Sequence, residues 1–428
     1  MKPSGIEWIG DIPDDWEVIR FKNILQVRDD LSTNGDELLL SVSQYTGVTP
    51  RSEKIEDGDF ISRADSLVGY RICNRNDLVM NIMLAWNGSL AFSNYDGIVS
   101  PAYAVFFIYN NNFYYKFLHY LLRTSAYTSY FRANSTGIID SRLRLYPDVF
   151  GRLYCIYPPL ATQQKIADYL DEKCDEIDKT IEKQKESIEK LKTYKQSLIS
   201  ETVTKGLNKS TPLKPTGIDF LGDIPSHWEV KRVKYVANSF EKGNGITKDD
   251  VIFDGDIQCV RYGEIYSKYD RQCIESVSDT NIDKIKSPVH ISKGDILFAG
   301  TGELIEEIGK NIVYMGDKPC LAGGDIIILK HNQNPIFLNY ALNSTSSQSQ
   351  KSYGKLKLKV VHISASAIGN IRIALPPITE QNNIAEFLDR KCEEIDSTIN
   401  KKQNLIEKLD AYKKSLIFEC VTGKRTIF

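Results

Sequence analysis

Two stretches of the chain carry apolar residues at helical spacing, each directly after a Pro-Pro pair. The apolar positions recur at steps of three and four residues or their sums, first after Pro158 and again after Pro376. The later positions keep a spacing of about 3.5 residues with Lys and Glu beside them, which predicts a coiled-coil seam. Each helix would have about 40 residues and a length of roughly 60 Å. The predicted seam consists of Ile177, Ile181, Ile188, Leu191, Leu198, Ile395, Ile399, Ile406, Leu409 and Leu416.

A charged helix of this length needs a partner for its apolar stripe, because long helices are stabilised mainly by packing. Each stripe could pack on its own domain, or the two helices could pair with each other. Their matched lengths and matched stripes favour pairing. An antiparallel pair would relate the two halves of the chain by a pseudo-two-fold axis, and the segments that precede the helices would emerge at opposite ends.

The two helical stretches belong to a tandem duplication. Residues 4–24 and 216–236 share the motif Gly-Asp-Ile-Pro followed by a tryptophan, and about half of their positions are identical. About half of the positions also match between the two Pro-Pro-led stretches. The intervening blocks, roughly 25–157 and 237–375, show little similarity. The pattern indicates a long-period duplication whose inner blocks diverged, not a solenoid of short repeats.

The divergent blocks are predicted to be mixed α/β. Apolar runs such as LLLSVSQYTGV, SPAYAVFFIY, GDILFAG and GGDIIILK are typical of strands. A helical rhythm covers residues 113–131 and, more weakly, 337–353. The predicted fold class is α+β, with two mixed α/β domains joined by two long antiparallel coiled-coil helices. The predicted domains are residues 1–157, 158–210, 211–375 and 376–428, with a Gly-, Pro- and Lys-rich link at 205–217.

Composition limits the classes of function. The 428 residues are 42% hydrophobic and 26% charged, which is ordinary for a soluble globular protein. No apolar run approaches the roughly 20 residues that span a bilayer, and the N-terminus lacks the pattern of an export signal, so the expected location is the cytoplasm. The net charge of −2 argues against a protein that coats DNA without sequence preference, but it permits one basic face.

Cysteine and histidine patterns predict no metal site. The eight cysteines are scattered, none forms a CxxC pair, and the five histidines stand alone. Buried free thiols are therefore the expected state. Cys174 and Cys392 occupy equivalent helix positions, and in an antiparallel pair they would lie too far apart for a disulfide.

One stretch imitates a cofactor pocket. Residues 295–303, DILFAGTGE, match a strand and a glycine turn, but nucleotide and S-adenosylmethionine pockets also need a following helix and an acidic residue about 20 positions on. Here the chain turns at Gly309 and resumes as a strand, so a hairpin is favoured. The chain has no GxxxxGK[ST] loop and no Asn/Asp-Pro-Pro-aromatic motif of an adenine methyltransferase. We expect no catalytic site, metal or cofactor in this chain.

Basic residues near the end of each block are the best candidates for DNA contact. Arg142 and Arg144 alternate with leucines, which would place both charges on one face of a strand. Simple solvation is the leading alternative for any single residue, but recurrence after a glycine in both blocks favours DNA contact. Trp86 stands in a loop that either reaches a groove or packs in the core. The candidate DNA-binding residues are Arg142, Arg144, Ser141, Arg51, Arg63, Arg71, Lys355, Lys357, Lys359 and Arg261.

Over essentially its full length the chain resembles the specificity subunit of Type I restriction–modification systems. The duplicated GDIPxxWE segments, the two divergent blocks and the PPxxxQ-led helices carry this resemblance. The family pattern Pro-Pro/Leu-x-x-Glu-Gln is kept at residues 376–381, whereas Thr162 replaces the glutamate that would precede Gln163.

The resemblance implies a division of labour. Residues 1–157 and 211–375 would be target-recognition domains, each reading one half of a bipartite, asymmetric site in double-stranded DNA. The helices would fix the spacer between the halves and dock two methylation subunits. S-adenosylmethionine and ATP would be bound by partner subunits, and restriction subunits could join the complex. The alternatives are a self-contained modification enzyme and a coiled-coil scaffold with protein-binding end domains.

Overall fold

The computed structural model of the chain consists of two compact units. Unit 1 comprises Met1–Gln184 and Gln403–Phe428, and unit 2 comprises Lys185–Lys402. Each unit combines one divergent block with the first half of one long helix and the last part of the other. The residues described are 1–54, 66–139, 142–354 and 361–427.

Unit 1 is built from short strands and short helices that precede one long helix, as the sequence predicts. Its strands are β1 (Lys2–Pro3), β2 (Asp11–Ile12), β3 (Glu17–Arg20), β4 (Leu25–Val27), β5 (Leu40–Ser43), β6 (Gly47–Pro50), β7 (Arg71–Cys73), β8 (Leu78–Asn81), β9 (Leu90–Phe92), β10 (Gly97–Val99), β11 (Tyr103–Ile108) and β12 (Tyr154–Tyr157). Its helices are α1 (Tyr115–Leu122), α2 (Ser125–Ala133), α3 (Pro147–Arg152) and the first part of α4 (Leu160–Lys205).

An antiparallel sheet in the order β4-β11-β8-β9 forms the centre of unit 1. Val105 of β11 lies opposite Val79 of β8, and every residue of β8 is buried. The strands predicted in LLLSVSQYTGV and SPAYAVFFIY are present as the β5-β6 hairpin and β11. The hairpin packs on the sheet through a cluster formed by Leu40, Val42, Val48, Cys73, Val79, Ala91, Val99 and Val105.

The helical stretch predicted at residues 113–131 consists of two helices, α1 and α2, that meet at Thr124. The Thr124 hydroxyl donates a hydrogen bond to the carbonyl of Leu121 and accepts one from the backbone N–H of Tyr127. The side chain therefore ends α1 and caps α2. The break between them is not visible in the sequence, because the apolar periodicity continues through both helices.

Unit 2 follows the same plan with a larger set of strands. Its strands are β13 (Leu213–Pro215), β14 (Asp223–Pro225), β15 (Glu229–Arg232), β16 (Ala237–Lys242), β17 (Ile257–Val260), β18 (Gln272–Cys273), β19 (Ser278–Thr280), β20 (His290–Ile291), β21 (Ile296–Ala299), β22 (Thr301–Gly302), β23 (Asn311–Tyr314), β24 (Cys320–Ala322), β25 (Ile326–His331), β26 (Val361–His362) and β27 (Arg372–Leu375). Its helices are α5 (Tyr262–Ser267), α6 (Pro335–Asn343), α7 (Thr345–Ser352), α8 (Ala365–Asn370) and the first part of α9 (Ile378–Val421).

Two sheets organise the divergent block of unit 2. One has the order β16-β25-β21-β23-β18 and the other β19-β17-β24-β20. Most pairs are antiparallel, whereas β18 with β23 and β17 with β24 are parallel. As in unit 1, the predicted single helix at residues 337–353 is two helices, and the hydroxyl of Ser344 caps the second by accepting from the backbone N–H of Ser347.

The glycine-containing stretch DILFAGTGE is a hairpin, as favoured from the sequence. Strand β21 pairs antiparallel with β23, with Leu297 opposite Ile312, and the chain reverses through a short 3-10 turn and Gly309 at φ +67°. The Asp295 carboxylate accepts hydrogen bonds from the backbone N–H of Ser292 and from Lys330. The motif therefore contributes a strand to the sheet.

The duplicated N-terminal segments form equivalent strand pairs beside the long helices. β3 pairs antiparallel with β12, and β15 pairs antiparallel with β27. Gly206, at φ +74°, ends α4 against the ring of Trp228, and a Cβ added to it would lie 3.1 Å from that ring. Gly423, at φ +71°, ends α9 next to Pro13 and Trp16. In each unit the shared tryptophan thus packs on the left-handed glycine that terminates a long helix.

The long helices α4 and α9 have 46 and 44 residues and run antiparallel. In unit 2, Lys195 of α4 binds Asp396 of α9, whereas Val203, further along α4, shares a buried cluster with Ile384, which comes earlier in α9. The two helices pack on each other, as their matched apolar stripes predict. They also pack on their own divergent blocks, so the two alternatives left open by the sequence are not exclusive.

An equivalent ion pair joins the two helices in each unit. In unit 1 the Lys413 ammonium lies 2.6 and 2.7 Å from the Asp178 carboxylate oxygens, and in unit 2 the Lys195 ammonium lies 2.7 and 2.8 Å from those of Asp396. Asp178 and Asp396 occupy equivalent positions of the duplication, 218 residues apart, and so do the two lysines. Each helix gives its aspartate to the lysine of the other, which is the reciprocal pattern of an isologous interface.

The predicted seam residues are all shielded from solvent to some degree. Their role in binding partner subunits remains a prediction. The predicted domain boundaries also remain a prediction, because the two compact units divide each long helix near its middle. Ile177, Ile181, Ile188, Ile395, Ile406 and Leu416 are buried, and Leu191, Leu198, Ile399 and Leu409 are half-buried.

A buried glutamine attaches each divergent block to its long helix. The Gln163 amide accepts a hydrogen bond from the backbone N–H of Tyr114 and donates to the carbonyls of Asn112 and Pro158, all at 2.9 Å. Gln381 accepts from the backbone N–H of Asn334 at 3.0 Å and also donates to the carbonyl of the Pro-Pro pair before it. The glutamine of the PPxxxQ motif is therefore a structural clamp.

Thr162, which replaces the glutamate of the family pattern, can be explained by the residue that would face that glutamate. Glu380 accepts hydrogen bonds from Trp228 Nε1 at 3.0 Å and from His227 Nε2 at 2.6 Å. The duplication places Asp15 at the position equivalent to His227. A glutamate at residue 162 would meet a carboxylate instead of an imidazole, and threonine avoids that repulsion.

Replacing Gln163 with leucine is expected to lower the free energy of unfolding by about 3 kcal/mol, because the change removes the partner of one buried and two partly buried backbone groups. Denaturant unfolding of the purified chain measures this loss. The control is Gln164→Leu at the exposed neighbouring position, for which the expected change is below about 0.5 kcal/mol. Equal effects of the two substitutions would contradict the clamp.

Candidate nucleic-acid interface

Arg142 and Arg144 lie in a closed turn of unit 1. Thr136 and Arg144 exchange two backbone hydrogen bonds of 2.9 Å, and the backbone N–H of Arg142 donates to the carbonyl of Ile139 at 2.8 Å. A Cβ added to Gly137 would lie 2.6 Å from the Arg142 carbonyl oxygen, so the close approach of the two arms requires glycine. We call residues 136–139 and 142–144 the basic hairpin.

The alternation of arginine and leucine in this segment correctly predicts which side chains are exposed. Its prediction of a strand is wrong. Arg142 and Arg144 are exposed, Leu143 is half-buried and Leu145 is fully buried. The segment is not a regular strand, because its ladder is limited to the isolated bridge between Thr136 and Arg144. Within the described residues, neither guanidinium makes a hydrogen bond or an ion pair. Ser141 lies outside the described residues.

A second loop of unit 1 lies beside the base of the basic hairpin. The backbone N–H of Leu145 donates to the carbonyl of Ile82, which precedes the loop that contains Trp86. Trp86 is half-buried, its Nε1 donates to the carbonyl of Met83, and the Arg132 guanidinium lies 5.1 Å from its ring centroid. Trp86 thus shapes this loop from its inner side, while Met83 is exposed.

The other arginines predicted in unit 1 are held more closely by the protein. Arg71 on β7 contacts the Asp29 carboxylate at 3.4 Å and the carbonyl of Pro101. Arg51 is half-buried at the start of a 3-10 turn that follows β6. Arg63 lies outside the described residues. DNA contact by these residues remains a prediction.

Arg261 of unit 2 is engaged with a buried carboxylate. Its guanidinium binds Glu264 Oε1 at 2.6 and 2.9 Å, and its backbone N–H binds Oε2 of the same carboxylate. Glu264 also accepts a hydrogen bond from the Ser278 hydroxyl. Arg261 is therefore the N-cap residue of α5, and the Glu264 carboxylate holds both its backbone N–H and its guanidinium, an arrangement that its sequence context did not suggest. Lys355, Lys357 and Lys359 lie outside the described residues.

The half-buried Arg123 and the buried Lys351 were not found from the sequence. The Arg123 guanidinium donates to the carbonyl of Leu90 at 3.0 Å and to that of Gln44 at 2.7 Å, and burial lowers its pKa. The Lys351 ammonium donates to the carbonyl of Gly309 at 2.7 Å and to Asn311 Oδ1 at 2.9 Å. Burial lowers the pKa of Lys351 to about 7. Both residues hold loops of the divergent blocks, and neither has a periodic or motif signal.

A tyrosine–aspartate hydrogen bond ties each divergent block to a long helix. Tyr120 donates to Asp171 in unit 1 and Tyr340 donates to Asp389 in unit 2, both at 2.8 Å. Burial, followed by the bond to aspartate, raises the pKa of Tyr120, so the hydroxyl stays protonated. The equivalent aspartates could have been found by aligning the two halves, but their tyrosine partners lie in the divergent blocks.

The described residues hold no metal site or membrane span. No group of three or more His, Cys, Asp or Glu side chains in these parts of the chain is placed to bind a metal ion. All eight cysteines are free and buried, which confirms the expectation of buried thiols. No helix in the described residues is long and apolar enough to cross a membrane.

Comparisons with known proteins agree with this architecture. Residues 225–408 match the family described as Type I restriction modification DNA specificity domain. The Type I restriction enzyme MjaVIII specificity subunit of Methanocaldococcus jannaschii is 26% identical over 429 residues, which cover 96% of this chain and 93% of that protein.

Solved structures show the same fold. A chain of the structure described as "Structural basis underlying complex assembly and conformational transition of the type I R-M system" superposes with a TM-score of 0.72 at 15% identity, covering 97% of this chain and all of that one. The HsdS subunit of Thermoanaerobacter tengcongensis superposes with a TM-score of 0.55 at 14% identity, with 97% and 98% coverage. The predicted fold class and the resemblance inferred from the sequence are confirmed.

The buried lysine predicts a pH dependence of stability. Because the folded-state pKa of Lys351 is about 7 and the unfolded value is 10.5, the unfolded chain holds more protons on this residue between these values. Stability should therefore rise with pH across this window, by up to about 1 kcal/mol per pH unit, relative to Lys351→Met, which cannot titrate. Thermal unfolding from pH 7 to pH 10 measures the difference.

The matched control is Lys268→Met at an exposed position of the same unit. Its stability should run parallel to that of the wild type over the whole range. Parallel curves for Lys351→Met and the wild type would mean that the buried ammonium does not titrate in this window.

Proposed function

We propose that unit 1 and unit 2 each recognise one half of a bipartite DNA sequence. The premise is that this chain is a member of the family of Type I restriction–modification DNA specificity subunits. The two blocks differ in sheet order and in surface residues, so the two half-sites differ and the whole site is asymmetric. Double-stranded DNA is the ligand, and the chain itself performs no chemistry on it.

The exposed basic hairpin of unit 1 is the observation that carries the proposal. Arg142 and Arg144 are exposed, and within the described residues their guanidinium groups are not neutralised by a carboxylate. An exposed arginine can bind a guanine edge or a phosphate bidentately. Arg261 in unit 2, in contrast, is already paired with Glu264 and is a weaker candidate.

The paired helices are proposed to set the spacer and to dock two methylation subunits. The reciprocal Asp178–Lys413 and Asp396–Lys195 contacts give each unit the same helix pair, and two equal pairs can bind two equal partners. Tyr194 and Tyr412 occupy equivalent positions and are 57% and 50% exposed. Exposed aromatic side chains are frequent anchors of protein interfaces.

The chemistry is proposed to lie on those partners. Methylation subunits would bind S-adenosylmethionine and modify adenine, and restriction subunits with ATP would join when cleavage is required. The described part of this chain offers a hairpin where the cofactor-like motif stands. A self-contained modification enzyme would need a cofactor pocket of its own, and a coiled-coil scaffold would bind proteins but not DNA.

Selection of random-sequence DNA by the purified complex with methylation subunits tests the proposal. Two defined half-sites separated by a gap of constant length are the expected result. No enriched sequence would favour the scaffold, and methylation by the chain alone would favour the self-contained enzyme.

Arg142→Ala is expected to weaken binding by about 1–3 kcal/mol if the residue contacts a base edge, and to relax the preference in one half-site only. The control is Arg152→Ala, another exposed arginine of unit 1, which pairs with Asp148. Repeating the selection with both variants measures the effect. Equal loss in both half-sites would assign Arg142 to assembly instead of recognition.

A further inference from the structure

Ile138, in the basic hairpin, presents its whole side chain to solvent. It is 99% exposed, and its neighbour Ile139 is 51% exposed. Single exposed apolar residues are common on protein surfaces. These two are adjacent, and they stand between Gly137 and two arginines that form no ion pair within the described residues, so they form one apolar tip with a basic border.

The hairpin holds this tip away from the body of unit 1. The two hydrogen bonds between Thr136 and Arg144 close its base, and the buried side chain of Leu145 anchors it to the unit. The backbone N–H of Arg142 also donates a hydrogen bond to the carbonyl of Ile139. A tip supported in this way keeps its isoleucines exposed, where a bound partner can cover them.

The charge around the tip favours DNA as that partner. Arg142 and Arg144 flank the tip and are exposed. Asp140 lies outside the described residues. Another large apolar residue, Phe253, is equally exposed, but residues 249–256 around it carry four aspartates and no basic residue, whereas residues 138–144 carry two arginines and one aspartate. An apolar wedge bordered by arginines is the arrangement with which several proteins unstack a base step in the minor groove.

We propose that Ile138 enters between two adjacent base pairs of the half-site recognised by unit 1, while Arg142 and Arg144 bind base edges or phosphates beside that step. The proposal rests on the proposed function of unit 1 as a DNA-recognition unit. Insertion separates the stacked bases and bends the duplex at that step, so the sequence would also be selected by how easily the step unstacks.

The test uses the complex with methylation subunits and the DNA obtained by selection. 2-Aminopurine, whose fluorescence rises when it is unstacked, replaces in turn each adenine of the unit 1 half-site except the methylated one. End-labelled duplexes report the bend by energy transfer. The variants are Ile138→Ala, Ile138→Leu, which keeps an apolar wedge, and Phe253→Ala as the control for loss of an exposed apolar residue in unit 2.

The wild type, Ile138→Leu and Phe253→Ala should raise the fluorescence at one position and bend the DNA. Ile138→Ala should abolish the rise, reduce the bend and weaken binding about tenfold, because less apolar surface is buried. Its unfolding should match that of the wild type, since the side chain is exposed.

Three outcomes would overturn the proposal. Fluorescence that stays constant at every position, with unchanged binding by Ile138→Ala, would show that the tip does not unstack the DNA. A loss of methylation-subunit binding by Ile138→Ala without DNA would assign the tip to a protein partner. If the wild type showed no sequence-selective DNA binding, the proposed function itself would be refuted. The selection experiment with the wild type would show this before any variant is measured.

Discussion

The reciprocal packing of α4 and α9 is the constraint on which the rest of the structure depends. A seam of isoleucines and leucines brings the helices together, and the Asp178–Lys413 and Lys195–Asp396 pairs fix which residue lies opposite which. Apolar burial supplies most of the free energy, since a partly exposed ion pair contributes only about 0.2–1 kcal/mol. The ion pairs matter for register, because a shift by one helical turn would separate the opposite charges.

Each divergent block is attached to this helix pair at a small number of points that occur in both units. A buried glutamine binds the chain just before one helix of the block, α1 in unit 1 and α6 in unit 2, and a tyrosine of that helix binds an aspartate of α4 or α9. A tryptophan packs on the glycine that ends a long helix. These contacts are made with the long helices, and the basic hairpin of unit 1 takes no part in them.

The sequence predicts the scaffold well, because periodic apolar positions report directly on a long helix and its seam. It predicts the blocks less completely. The break at Thr124 depends on one hydroxyl within a continuous apolar rhythm. The segment at Arg142 alternates exposed and buried side chains as a strand does, but it lacks the hydrogen-bond ladder of a strand. Lys351 is buried although it lies in a polar stretch. These properties depend on tertiary contacts between residues that are distant in the sequence.

The Gln163 clamp also bears on how such a protein can diversify. The amide binds the carbonyl of Asn112 and the N–H of Tyr114, which are main-chain groups that almost any residue would present. Gln381 likewise binds the main-chain N–H of Asn334. An anchor that recognises backbone does not constrain the side chains of the block it holds. A block could be replaced by recombination between related genes, and the new block would meet the same helix at the same point.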